Sequence, residues 1–274
     1  MVFFLFLLFG AQPLMASQKT RLQFAWPDQG RVTVDQRGTK GDKPTNLSFE
    51  ITWKTEKSYK VVTIESLKIL DIKGRDLSDP EIQAAVKPLQ GELINFPKIM
   101  VDELGRFVTV DDLKGHPASK QKAMTDHRLI SRISRDWNHW VGLWTYVQFG
   151  DGRAEFHTPL SSDIIGDFDP MIELSYLGTE ACGTMKCPKL RFQSVVRGKN
   201  QKKGDLVMRK IRERLGGKGI DAIIENVIIT TQVTIITDPG TLRPFHVGSE
   251  KTVTATINGK VMNQNERKSY RFYW

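Results

Sequence analysis

Residues 130–144 can gather their apolar side chains on one surface only as an α-helix. At about 100° per residue, Ile130, Ile133, Trp137, Trp140, Val141 and Trp144 fall within an arc of roughly 100°, and Arg128, Arg132, Arg135 and His139 collect within roughly 60° on the opposite side. Leu129 and Asp136 sit at the border. The spacing predicts one amphipathic helix after Pro117, with an aromatic stripe and a basic back. Its apolar arc covers less than half the circumference, so the helix has to lie against another layer.

The rest of the chain supplies strands for that layer. Leu47, Phe49, Ile51 and Trp53 alternate with Ser48, Glu50 and Thr52, the period of a half-buried strand. Tyr59–Ile72 continues as strand, and a bulge near Ser66 accounts for a shift in its apolar phase. Leu22–Trp26 and Arg31–Gln36 flank a turn at Pro27–Gly30, and Arg37–Thr45 reads as a polar loop. A hairpin is predicted from Pro97–Val101 and Arg106–Val110 around Asp102–Gly105. Met171–Gly178 and Leu190–Val196, then Ile223–Ile236, Thr252–Ile257 and Ser269–Trp274, complete the strand set. Two shorter helices are expected: one opens at Asp79-Pro80 and runs to about Gln90, and one spans Asp205–Leu215 and stops at Gly216–Gly219. Together these elements predict an α+β fold, a curved and mostly antiparallel sheet packed against one long amphipathic helix and two shorter helices.

The N-terminal segment MVFFLFLLF is apolar without interruption, and the run Val2–Ala11 is shorter than the ~20 residues that span a bilayer. With Pro13 breaking it and Ala16 before Ser17, it has the form of a secretory leader, although no Lys or Arg precedes it. The expectation is a signal peptide over 1–16 and a single domain over 17–274, working in the periplasm or outside the cell. Hydrophobic residues make up 39% of the chain, with 14 Phe and 6 Trp, enough to build a large core. The excess of 40 basic over 31 acidic residues gives a net charge of +9, which draws an exported protein to anionic surfaces. Export makes nucleic acid an unexpected partner. Cys182 and Cys187, in CGTMKC, are the only cysteines; in an oxidising compartment they form a disulfide, and metal binding through them and Met185 lacks further ligands nearby.

Catalytic patterns are weak. Neither a G-x-S-x-G elbow nor an H-E-x-x-H helix is present, and the five histidines are scattered. Asp163, Asp167 and Asp169, in SSDIIGDFDP, and the pair Asp111-Asp112 could pair carboxylates for hydrolysis, but turn-forming acids in surface loops explain them better. Three tryptophans on one helical face serve either core packing or the wall of an apolar cavity. The basic back of the helix is either a solvated face or a contact for anionic headgroups, with His139 adding charge on acidification.

The segments FPKIMVDELGRFVTV, DWNHWVGLW, CGTMKCPKLRF and TLRPFHVGSEKTVTATINGK, in this order, resemble a poorly characterised group of exported bacterial cell-envelope proteins. More loosely, the arrangement is similar to the half-barrels of LolA-type lipoprotein and lipid carriers, in which a curved antiparallel sheet wraps around helices. The expected function is therefore non-enzymatic binding or carriage of an apolar, lipid-like ligand or acyl chain, without cofactor or metal. Trp137, Trp140 and Trp144, with Ile133 and Val141, would line the cavity, and Arg128, Arg132, Arg135 and His139 would face an anionic membrane. The alternatives are an envelope assembly or scaffold protein bound to a protein partner, and a hydrolase using the carboxylates of Asp163–Asp169.

Overall fold

The computed structural model describes residues 19–40, 43–72, 75–76, 98–111, 122–160, 170–199 and 224–274. Five strands come first: β1 (Thr20–Arg21), β2 (Gln29–Lys40), β3 (Lys43–Glu56), β4 (Tyr59–Ile72) and β5 (Arg75–Asp76). The hairpin β6 (Lys98–Val101) and β7 (Phe107–Asp111) precedes helix α1 (Lys122–Trp140) and a 3-10 turn, Gly142–Tyr146. A short hairpin, β8 (Val147–Gly150) and β9 (Arg153–Phe156), is followed by five long strands: β10 (Met171–Cys182), β11 (Met185–Lys199), β12 (Ile224–Thr237), β13 (Pro244–Ile257) and β14 (Lys260–Tyr273).

Eleven of these strands form one antiparallel sheet in the order β10-β11-β12-β13-β14-β2-β3-β4-β6-β7, with β5 paired to β4. Most neighbours in space are neighbours in sequence. Apart from β4 and β6, which β5 separates in sequence, the exception is β14, which pairs with β2 from Glu266↔Lys40 to Tyr273↔Thr33 and so brings the last strand beside an early one. The strands β1, β8 and β9 make a separate small sheet, tied to the large one by the stacked rings of Phe149 and Tyr176 and by Phe156 against Phe192.

The large sheet is curved, as its core requires. Laid flat, ten neighbouring strands at about 4.8 Å spacing would be roughly 45 Å wide, whereas a helix with its side chains is only about 10 Å across. Yet Val34 of β2, Ile51 of β3, Val62 of β4, Ile99 of β6, Leu190 of β11 and Val233 of β12 all belong to the same buried cluster as Ile133, Trp137 and Trp140 of α1. The sheet therefore wraps around the helix. A bulge contributes: Ser48 pairs with Lys68 but Glu50 with Glu65, which leaves one extra residue on β4, and Ser66 takes a φ of 52° there.

The expected α+β class with two shorter helices is corrected. Among the described residues 70% lie in strands and 10% are helical, with α1 the single α-helix. The expected helices near 80–90 and 205–215 lie outside the described residues. The strands are longer than their apolar patterns. The expected loop Arg37–Thr45 is strand at both ends, β2 running to Lys40 and β3 starting at Lys43, and β14 begins at Lys260, nine residues before Ser269. These polar stretches are held by ladder hydrogen bonds to the neighbouring strands rather than by an apolar face, so the sequence shows no alternation there.

Two details position the helix. Trp137 donates its indole N–H to the carbonyl of Gly105 at 2.8 Å, fastening α1 to the β6–β7 turn. Gly105 has a φ of +79°, and a Cβ there would stand 2.6 Å from the ring of Phe24. Gly105→Ala is therefore expected to destabilise the fold by about 2 kcal/mol, from the left-handed backbone and the overpacked ring together, read as a lower midpoint in urea; an unchanged midpoint would show that the turn does not hold the helix. At the other end of the sheet, Cys182 and Cys187 are disulfide-bonded across the β10–β11 hairpin end and buried beside Ile236 and Phe245. So small a loop contributes about 2 kcal/mol on the chain-entropy estimate.

Candidate functional site

Because the sheet curves around α1, more than the apolar stripe of the helix is enclosed. The core face carries Ile133, Trp137, Trp140, Val141 and Trp144, all at most 5% exposed. Trp140 packs between Phe49, Tyr270 and Phe272 at centroid distances of 6.2, 5.2 and 5.9 Å. Trp137 meets Trp26 edge-on at 5.7 Å, and Trp144 donates to the carbonyl of His139 at 2.8 Å. These five side chains, the sequence candidates for a ligand wall, fill the core.

A cavity of about 760 Å³ lies along the adjacent flank of the helix, and none of the five lines it. Its helix wall is Ile130, Ser131, Ser134, Arg135, Asn138 and His139. Opposite stand Phe192, Ser194 and Val196 of β11 with Thr231 of β12, while Phe107 and Val108 of β7 and Leu143 of the 3-10 turn close the sides. The lining is mixed, apolar patches alternating with hydroxyls and one amide. Asn138 is 8% exposed. Its Oδ1 lies so close over Gly142 that a Cβ there would be 2.3 Å away. The neighbouring Asp102 and Arg106 satisfy each other: Arg106 donates to Asp102 at 2.6 Å, and Asp102 also accepts the backbone N–H groups of Leu104 and Arg106. Hydrogen bonds to Asp102 and then Tyr146 hold the Arg106 guanidinium firmly protonated.

Beyond Arg135 the same helix carries a chain of charges against β13 and β14. Asp136 lies 3.3 Å from Arg135 and 3.6 Å from Lys268, and Lys268 lies 3.5 Å from Glu266. Burial works to raise the carboxyls of Asp136 and Glu266, but Lys268 and Arg135 outweigh it and hold both below their ordinary values. His139 goes the other way. Burial pushes its pKa from 6.5 down to about 4, with Arg135, Lys268 and Lys251 adding to the effect and Asp136 opposing it. Of the four expected membrane-facing residues, Arg132 is exposed and Arg135 and His139 are half-buried; the side chain of Arg128 lies outside the described residues.

The remaining chemistry is sparse. No three His, Cys, Asp or Glu side chains among the described residues stand together as metal ligands. His246 approaches Ser269 at 2.9 Å across two strands, but among the described residues no third side chain is hydrogen-bonded to the imidazole to orient it, as a nucleophile–base pair requires. Asp163, Asp167, Asp169 and Asp112 lie outside the described residues. A second, more open groove of about 510 Å³ crosses the outer face of the sheet, between Arg37, Gln232, Glu250 and Arg267. No described helix is long and apolar enough to cross a membrane.

Fold and site together define an open, curved antiparallel sheet with one helix in its concavity and a mixed-polarity cavity beside that helix. No protein-family model matches the chain, and none of the curated proteins matches it in sequence. The aromatic stripe picked out by sequence patterning fills the core, and the cavity lies on the flank that carries Arg135 and His139 of the expected basic back. The signal for the cavity flank is the row of small polar residues Ser131, Ser134 and Asn138, which share one side at helical spacing.

Proposed function

We propose that this protein is an exported cell-envelope protein that binds or carries an apolar, lipid-like ligand without catalysis. The observation that carries the proposal is the 760 Å³ cavity between α1 and β11–β12, which falls in the range of small-ligand sites and combines apolar walls with a few placed polar groups. The leader-like run Val2–Ala11 and the Cys182–Cys187 disulfide support export. The net charge of +9 and exposed Arg132 favour approach to an anionic membrane surface.

Delipidated protein is expected to take up a fluorescent fatty acid saturably at one site. Ser194→Trp places an indole into the cavity from β11 and is expected to weaken uptake at least about tenfold, with the thermal midpoint near that of the wild type. Unchanged uptake in this variant, or no uptake by the wild type, overturns the assignment of the cavity.

A second function, envelope assembly without a small ligand, is favoured by the buried Trp core and by exposed apolar side chains at the β13–β14 hairpin, where Val261 is 65% and Met262 58% exposed. It predicts that protein purified from its own envelope and weighed by native mass spectrometry retains a protein partner and no lipid. A retained lipid favours carriage.

A further inference from the structure

The β13–β14 hairpin outruns the strand beside it. Pairing of β14 with β2 stops at Glu266↔Lys40, so Lys260–Asn265 continues past β2 by about 20 Å at about 3.4 Å per residue, with β13 as its partner on the other side. On this projection Val261 is 65% and Met262 58% exposed. Successive strand residues point to opposite faces, which makes the tip apolar on both sides. Register carries the patch across the neighbouring strands. Arg197 of β11 stands opposite Ile228 of β12, Ile228 opposite Thr254 of β13, and Thr254 opposite Asn263 of β14. Ile228 is 40% exposed and shares the face of Val261. The strand ends at 195–199, 224–231 and 252–265 hold three cations, Arg197, Lys199 and Lys260, against one acid, Glu225. Arg197 and Lys260 are exposed.

We propose that the β13–β14 tip docks on an anionic lipid surface, with Val261 and Met262 entering the boundary between headgroups and acyl chains while Lys260 and Arg197 meet the lipid phosphates. A protein contact calls for apolar side chains gathered on one face, whereas a narrow hairpin apolar on both faces suits a medium that surrounds it. Cations near such a surface add to the apolar attraction. Entry is shallow. The outer edge of Lys260–Asn265 has no strand beside it among the described residues, and unpaired backbone groups are too costly to place in hydrocarbon. The exposed amides of Asn263 and Gln264 belong at headgroup depth. This inference rests on the cell-envelope setting proposed above, names the element that meets the membrane, and is independent of what the cavity holds.

The test uses delipidated protein purified from its own envelope and vesicles of equal phosphatidylglycerol and phosphatidylcholine. Binding is expected to be at least about tenfold tighter than to phosphatidylcholine alone. The double variant Val261→Ser, Met262→Ser is expected to weaken binding to the anionic vesicles at least about tenfold, with the thermal midpoint near that of the wild type because both side chains are exposed. Lys260→Gln is expected to weaken it about fivefold, an effect that high salt removes. An environment-sensitive dye on Val261→Cys is expected to shift to the blue on those vesicles and to be quenched by headgroup-level but not by chain-end quenchers. Binding unchanged in the double variant would reduce the attraction to net charge and overturn the inference. So would binding to neither vesicle, or cross-linking of position 261 to a protein rather than to lipid in the intact envelope. Fatty-acid uptake that persists in those cases leaves the carrier function standing, and docking without uptake removes the carrier function and leaves the tip.

Discussion

Replacing Trp137 with alanine is expected to remove about 4 kcal/mol of stability, the upper range for a large buried aromatic. Trp137 is 1% exposed, lies edge-on to Trp26 at 5.7 Å and donates to Gly105 at 2.8 Å. Truncation leaves a cavity between helix and sheet and an unpaired carbonyl in the β6–β7 turn. Those two costs separate in a second variant. Trp137→Phe keeps most of the ring burial but loses the N–H donor, and is expected to cost about 1–2 kcal/mol. Urea unfolding of both variants checks the pair. A loss below about 1 kcal/mol for the alanine variant, less than an ordinary buried methylene pair is worth, would mean that α1 does not sit in the concavity of the sheet.

Acidification from pH 6.5 to pH 4 is expected to weaken the fold by up to about 3 kcal/mol through His139 alone. The folded pKa is about 4 against 6.5 for the free side chain, with burial as the main cause. Across this window the unfolded chain binds a proton that the folded chain refuses, so stability is present above pH 6.5 and lost as pH falls towards 4. The groups around the ring are Asp136 and Arg135 on the helix and Lys268 and Lys251 on the sheet. Asp136 acts in a lower range. Its folded pKa is depressed below 3.8, so its contribution is present above that value and lost only in stronger acid. His139→Gln is expected to flatten the difference in unfolding free energy between pH 6.5 and 4. An equal slope in wild type and variant would place the imidazole in open solvent, and with it the basic back of the helix.

That result bears on what a sequence can disclose. Leu47, Phe49, Ile51 and Trp53 reveal β3 because one face of that strand is buried along its length. The β6–β7 hairpin and the bulge at Ser66 are legible for the same reason: local patterning and local geometry agree. The first half of β14, Lys260–Gln264, is exposed throughout, so only the backbone ladder defines it. Here the turn was the available signal. Asn258-Gly259 and Asp151-Gly152, all four at positive φ, are the dipeptides that two-residue hairpins favour, and they mark the β13–β14 and β8–β9 connections.

The site was harder to see for a geometric reason. A helix on a flat sheet buries one stripe and exposes the rest, and periodicity then separates inside from outside. A helix inside a curved sheet is enclosed over more of its circumference. Arg135 and His139 therefore read as solvated back but stand half-buried, and Ser131, Ser134 and Asn138, polar by composition, line the cavity. The tryptophans are the most conspicuous side chains of the helix. Their size makes them core, and the empty volume falls beside them.

Hydrogen exchange of the delipidated chain, with and without saturating fluorescent fatty acid, locates the ligand most directly. New protection is expected in α1 between Ser131 and His139 and in β11 between Phe192 and Val196, with the outer-face groove around Gln232 and Arg267 unchanged. Protection confined to that outer groove, or none anywhere, would contradict a ligand held within the curve of the sheet.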